Sequence, residues 1–314
     1  AYAASIGGVG TIIGTPPNTI LVGLVEKMYN QHISFPLWIA LMFPLSVIML
    51  FISWFYLVKF GYPIGIRELP GGKSWIIREL KKLGPITKPE KYILIVFIAV
   101  AVSWIAHGFI SIDVIRMIQD PTIAMIGGIL LFVIPVDFRK GVFLLDWQSA
   151  LKVPWGIIIL YGGGLSLANA IQITGLAEWL SAQIIILQGS NIIIVVFGVV
   201  LLSIGLTNLT SNTATATMLI PIMGVTAAAL SIHPYCLIVA AGISVSYAFL
   251  LPTATPPNAV VFGSRYITIP QMVRAGLVLS IIGSFLITFF MLVLLPLVWK
   301  IDIGNLPDWV KIVH

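Results

Sequence analysis

The tetrapeptide Thr-Pro-Pro-Asn occurs twice, as Thr15-Pro16-Pro17-Asn18 and Thr255-Pro256-Pro257-Asn258, each copy inside an apolar run long enough to enter a membrane. Proline has no amide hydrogen and its ring clashes one turn back, so two in succession break a helix. They release the carbonyls four residues earlier, here Ile12, Ile13, Pro252 and Thr253. In hydrocarbon such backbone survives only where protein, water or a bound ion satisfies it. Paired interruptions at corresponding positions of two halves mark a binding site near the bilayer midplane.

Of 314 residues, 59% are hydrophobic and 9% charged, against roughly 25% charged in soluble domains. The chain therefore reads as an all-α polytopic membrane protein. Runs near the ~20 residues that span hydrocarbon lie at 35–58, 92–110, 121–136, 153–172, 191–230, 236–262 and 275–299. The alternating ~10-residue segments of an outer-membrane barrel do not occur. A net charge of +6 would suit a nucleic acid, but eight of the 17 Lys and Arg fall between Lys59 and Lys91. That stretch is cytoplasmic by the positive-inside rule. Alternation from there places thirteen basic residues inside and four outside, among them Lys300 and Lys311. The charge thus reports orientation, with the C-terminus outside, and no nucleic-acid partner is expected. The single cysteine, Cys236, excludes an internal disulfide and a cysteine-ligated metal cluster. Because the chain opens on Ala1 within an apolar run, the true N-terminus is expected to lie further upstream.

Five segments follow. Residues 1–58 form a broken helix and a following span, and 59–91 a cytoplasmic connector with an amphipathic piece near Trp75 to Leu83, laid along lipid headgroups. Residues 92–187 hold further spans, 188–300 a re-entrant hairpin, a second broken helix and a last span, and 301–314 an exterior tail. Gly162-Gly163-Gly164 lacks the strand before and the Lys-Ser or Lys-Thr after it that a phosphate loop needs, so it reads as close helix packing. The run 191–230 is twice one span and carries a polar centre, Thr207-Asn208-Leu209-Thr210-Ser211-Asn212-Thr213. As one helix it would extend ~60 Å, twice the hydrocarbon thickness; two half-length arms fit.

Ser211, Asn212 and Thr213 are good caps for the second arm, their oxygens accepting from first-turn amides. That terminus and the one after Pro256-Pro257 are anion sites by virtue of unpaired amides and about half a positive charge each. Carbonyls at the helix ends, including those of Thr253 and Ala254, suit a hard monovalent cation. No Lys, Arg, Asp or Glu lies in the hairpin core or beside either proline pair. A bound anion must therefore be neutralised by cations as well as helix termini, which couples the two ligands. His32, His107, His233 and His314 are scattered near membrane edges and read as interfacial. Thr217 reads as structural, its hydroxyl turned to its own backbone.

Ser246 to Ala259, reading Ser-Tyr-Ala-Phe-Leu-Leu-Pro-Thr-Ala-Thr-Pro-Pro-Asn-Ala, resembles the signature of the divalent anion/sodium symporter family, and Thr210-Ser211-Asn212-Thr213-Ala214-Thr215 is similar to its hairpin tip. Ala4 to Asn18 resembles the loop of the first repeat. The resemblance implies an inverted-repeat elevator transporter, with its first repeat truncated here, dimeric through a scaffold domain when full length. It implies movement of a C4-dicarboxylate, citrate or sulfate with several sodium ions, in a prokaryotic inner membrane. Implied substrate contacts are Thr15, Asn212, Thr213, Thr255 and Pro256. The implied second sodium site uses Thr207, Thr210, Asn212 and the Ala254 carbonyl, and Gly14 serves the first. No cofactor beyond sodium as coupling ion is implied. Only one of the family's two Ser-Asn-Thr tips is present, so about 150 upstream residues are expected to be absent and the isolated chain is expected not to transport. Arg265 stands where the family usually has a small residue.

Hydrolytic chemistry would need a His pair with Glu for zinc, a Ser with Lys or His, or an Asp pair at midplane, and the spans contain none. The chain is thus expected not to be an enzyme. Two neighbouring readings remain, a sodium-independent dicarboxylate exchanger and a passive anion channel.

Overall fold

The computed structural model describes residues 1–62, 72–107, 120–152 and 189–313, with isolated positions between 162 and 179. The span expected at 153–172 and the exterior segment around Arg116 fall almost wholly outside these residues. In chain order the helices are α1 (Tyr2–Val9), α2 (Pro16–Tyr29), α3 (Phe35–Tyr56), α4 (Gly72–Leu83), α5 (Lys88–His107), α6 (Asp120–Val133) and α7 (Trp147–Ala150). They continue as α8 (Ile192–Leu209), α9 (Asn212–Ala229), α10 (Pro234–Ser244), α11 (Pro256–Gly263), α12 (Ile269–Phe289) and α13 (Leu295–Trp299). Among the described residues, four helical stretches are long and apolar enough to cross a membrane: Phe35–Gly61, Lys88–Ala106, Ile192–Leu209 and Ile269–Trp299. The chain divides into one unit of Ala1–Ile33, Leu37–Gly61 and Trp155–His314 and another of Ser34–Pro36 and Tyr62–Pro154.

In the second unit α5 packs on α6, where a Cβ at Gly127 would meet the Val100 side chain. Their other faces leave Ile95, Phe97, Ile98, Met125 and Ile129 exposed, as a helix in lipid requires. Strands β1 (Pro135–Asp137) and β2 (Val142–Phe143) pair antiparallel, and Asp146 then caps α7 by accepting from the Ser149 amide at 2.6 Å. These hydrogen bonds hold the Asp146 carboxyl below its ordinary pKa. The amphipathic piece expected at Trp75 to Leu83 is α4, with Lys82 and Glu79 paired at 2.6 Å.

The first unit is organised around α10, every residue of which is buried. A helix apolar on all sides belongs inside a bundle, and α2, α8, α9 and α12 surround it. Lipid is as apolar as leucine, so close packing rather than water exclusion holds membrane helices together. Small residues provide the approach: a Cβ at Gly242 of α10 would strike Leu21 of α2, and one at Gly283 of α12 would lie 2.6 Å from the Tyr247 ring.

The run 191–230 is two helices. Thr210 (φ −129°, ψ 178°) and Ser211 (φ −72°, ψ 136°) interrupt it. Both arms pack against α10, which at 11 residues is about 16 Å long. One rod of 36 helical residues would pass so short a partner once; the arms therefore fold back.

The far end of this unit is aromatic. His233 stacks against Tyr235 and Trp309, and Tyr235 against Trp299, with centroids 4.9–5.5 Å apart. The His233 amide donates to Ile303 O at 3.0 Å, while its Nδ1 accepts from the Tyr235 amide. Burial pushes the His233 pKa down to about 4 against the opposing charge of Asp302.

Candidate functional site

Each Thr-Pro-Pro-Asn starts a helix. Pro16 and Pro256 take the first helical positions of α2 and α11, where a missing amide costs nothing. Thr15 and Thr255 precede them in extended backbone, at φ −150° and −141°. The asparagines reach backwards. Asn18 Nδ2 donates to Gly8 O at 3.0 Å and Thr11 O at 2.8 Å; Asn258 Nδ2 donates to Ala248 O at 2.9 Å and Leu251 O at 3.1 Å. The sequence offsets are 10 and 7 in both copies.

The breaks were expected to release the carbonyls of Ile12, Ile13, Pro252 and Thr253 to new partners, and a side chain reaches one of these four, Ile12 O. Thr19 Oγ1 donates to Ile12 O at 3.1 Å, Trp38 Nε1 donates to Val9 O at 3.0 Å, and the asparagines hold carbonyls one and four residues before the first released one. In the first break Gly8 and Gly14 meet so closely that a Cβ on Gly14 would lie 2.9 Å from Thr11 Oγ1 and against Gly8 O.

The hairpin tip meets the second break. Thr207, fully buried, has its Oγ1 2.7 Å from Asn212 Oδ1 and 2.9 Å from Val245 O. One hydroxyl proton serves only one of those acceptors, so three oxygens converge with a single proton between them. Thr210 Oγ1 lies 2.5 Å from Thr215 Oγ1 and donates to Leu206 O at 3.0 Å. Asn208 ties the two segments together: its Oδ1 accepts from the Leu250 amide at 2.9 Å and its Nδ2 donates to Ile204 O at 2.7 Å.

A cavity of about 450 Å³ opens between them, lined by Asn208, Leu209, Thr210, Ser211, Thr253, Ala254, Thr255, Pro256 and Ala259. The residues expected at the site divide accordingly. Thr210, Ala254, Thr255 and Pro256 line the cavity, and Thr207 and Asn212 are bonded to each other at the hairpin tip. Thr213 sits in the first turn of α9, half-buried. Gly14 and Thr15 do not line the cavity and belong to the first break, although α1 packs on α11. Asn208, Leu209, Ser211, Thr253 and Ala259 complete the lining; Ser211 and the Thr253 carbonyl stood out in the sequence as a cap and a cation donor, and Asn208 as part of the polar centre.

The capping differs from expectation at one end. Thr255 Oγ1 accepts from the Asn258 amide at 3.3 Å, but Ser211 makes no capping bond, and Asn212 Oδ1 faces Thr207. Ser211 is exposed and lines the cavity, so the first-turn amides of α9 have no side-chain cap. The N-terminal ends of α9 and α11 and the C-terminal end of α8 thus reach one cavity lined by neutral residues. Termini of opposite polarity present partial charges of both signs. Among the described residues no cluster of His, Cys, Asp or Glu could hold a transition metal.

Two relatives are similar over nearly all of this chain. It is 38% identical over 305 residues, 96% of its length, to a protein of Staphylococcus saprophyticus named sodium-dependent dicarboxylate transporter SdcS. It is 39% identical over 307 residues, 97% of its length, to the SdcS of Staphylococcus aureus strain MW2. In each case it spans 59% of the relative. Both relatives are named as transporters and neither as an enzyme. Residues 1–302 match the family described as the sodium:sulfate symporter transmembrane region, and the chain belongs to that family.

Proposed function

We propose that this chain supplies the hairpin, the broken helices and most of the binding site of a secondary transporter that couples sodium entry to uptake of a C4-dicarboxylate. The observation that carries it is the neutral cavity at which two helix N-termini and a helix C-terminus meet, with the oxygens clustered around Thr207 in the adjoining hairpin tip. Thr255, Pro256, Asn212 and Thr213 contact the carboxylates, joined by Thr15 from the first break. Thr207, Thr210, Asn212 and the Ala254 carbonyl hold one sodium ion and Gly14 serves another. The names of the relatives favour a dicarboxylate over citrate or sulfate.

The finer reading is an inverted repeat moving as an elevator: residues 1–58 and 188–300 slide as a transport body against 92–187. The identical offsets of the two asparagine bonds support repeated architecture. The protein works as a homodimer in a bacterial inner membrane, C-terminus outside. The test is uptake of labelled succinate into proteoliposomes holding the polypeptide as encoded. Concentrative uptake that stops when choline replaces sodium, and a T207V variant needing about tenfold more sodium for loss of one hydrogen-bonding oxygen in a buried charged site, are the expected results. Flux that merely dissipates a gradient, or uptake indifferent to sodium, refutes the proposal.

A further inference from the structure

We propose that Asn18 and Asn258 are positioning residues for the sodium and dicarboxylate ligands, an inference that rests on the transporter reading above. Each side chain is fully buried. Each directs its N–H groups to two carbonyls across the break at the same offsets of 10 and 7, Asn18 making a further, longer contact to Val9 O at 3.5 Å. The bond at offset 7 closes a loop of eight residues, Thr11 to Asn18 in one copy and Leu251 to Asn258 in the other. Gly14 and Thr15 occupy the fourth and fifth places of the first loop; Ala254 and Thr255 occupy those places in the second. Thus the carbonyl-bearing and hydroxyl-bearing residues assigned to sodium and substrate are held at matching register by one amide each.

Two further observations separate positioning from simple satisfaction of backbone groups. The Oδ1 of Asn18 and that of Asn258 are buried without a hydrogen-bond partner among the described residues. Buried polar atoms are nearly always partnered, so a side chain retained for stability alone would not leave the same acceptor bare twice. The second loop is also held from outside, through the Asn208 bond to the Leu250 amide and through α12, where Gly276 touches Phe249 O. The residues that lead into it are thus held on two sides, and the Asn258 amide sets where its middle points.

The experiment uses N18D and N258D in the polypeptide as encoded, since aspartate keeps the shape, cannot offer two N–H groups and repels the carbonyls. Sodium half-saturation and succinate KM are measured in proteoliposomes, uptake is normalised to folded protein, and hydrogen exchange is followed over residues 8–15 and 245–255. The expected result is a rise of about tenfold in sodium half-saturation or succinate KM, the scale of an ångström misplacement at a site, with faster exchange confined to the loop of the mutated copy. Unchanged half-saturation and KM, with loss only of folded protein, overturns the proposal. N18S and N258S, which keep a short donor, carry the same test where an aspartate variant does not accumulate. Failure of both variants at a position to accumulate counts for a structural role and against positioning there. If wild-type protein shows no sodium-dependent uptake, the transporter reading falls while the exchange data still decide whether the asparagines order the loops.

Discussion

Substituting Gly276 with alanine tests whether α12 and the second break are fitted to one another. A Cβ there would lie 2.6 Å from the Phe249 carbonyl carbon and 3.1 Å from the Leu250 nitrogen, and would overlap the carbonyl oxygen. Both neighbours are backbone, so no rotamer change relieves the contact. Ordinary separation begins at 3.4 Å, which requires a displacement of at least about 0.8 Å. The loop resists, because the Leu250 amide is bonded to Asn208 and the carbonyls of Ala248 and Leu251 to Asn258. Overpacking of a tight interior costs about 1–3 kcal/mol, and an immobile partner places G276A near the upper end. The apparent melting temperature in detergent should fall by roughly 5–10 °C. A matched control is G205A in α8, where nothing lies within 4 Å of the added methyl, and where alanine gains about 1 kcal/mol of helix propensity. Because the loop leads into Thr253 to Pro256, G276A should also raise sodium half-saturation while G205A does not. A G276A protein that melts with wild type and keeps its sodium dependence would refute the fitted-loop argument.

Other outcomes follow from the same geometry. N208A leaves the half-buried Leu250 amide without its acceptor, costing about 1 kcal/mol, visible as a lowered melting temperature that succinate with sodium partly restores. Arg265 adopts φ +63°, a left-handed conformation that disfavours any side chain by about 1–2 kcal/mol; R265G should be neutral or stabilising by thermal shift. Burial lowers the His233 pKa from 6.5 to about 4, so unfolding takes up a proton between those values. Stability present above pH 6.5 should be lost as pH falls toward 4, by at most about 2 kcal/mol after solvent screening, and H233N should flatten that part of the profile.

How far the sequence alone leads is clear from particular residues. Proline pairs announce breaks because the chemistry is local, and the polar centre at 207–213 announces a tip because no 40-residue helix fits a bilayer. The capping chemistry was the harder inference. Ser211 and Asn212 have the composition of an N-cap, yet Asn212 turns its oxygen to Thr207, because that hydroxyl arrives from the other arm of the hairpin. No local rule specifies such a meeting. Asn208 likewise reads as one polar residue in an apolar run until the fold brings Leu250, 42 positions away, to its side. The asparagines of the two tetrapeptides were visible as a repeat, but their backward reach depends on where the preceding arm ends.

On the transporter reading proposed above, the absence of charge in this cavity ties the anion to its cations. Two helix N-termini supply about half a positive charge each, offset in part by the C-terminus of α8, so less than about one unit stands against the two of a C4-dicarboxylate. More than about one negative charge remains, in a setting where an ionised group at midplane costs roughly 2.5–3.5 kcal/mol even on the lenient scale. Replacing Ser211 or Thr255 by lysine would remove that cost permanently, but it would also hold the site positive when empty and sever the dependence of anion binding on cations. A neutral site keeps the dependence: the anion binds well only with a cation present, and the reciprocal holds by linkage. Inward movement sharpens it, since carrying a dianion against 100 mV costs about 4.6 kcal/mol at ~2.3 per charge. At least two monovalent cations must accompany it to cancel that. T255K should therefore bind succinate with weakened sodium dependence in a thermal-shift titration, and sodium dependence unchanged from wild type would show that the neutrality of the cavity is not what ties the two ligands together.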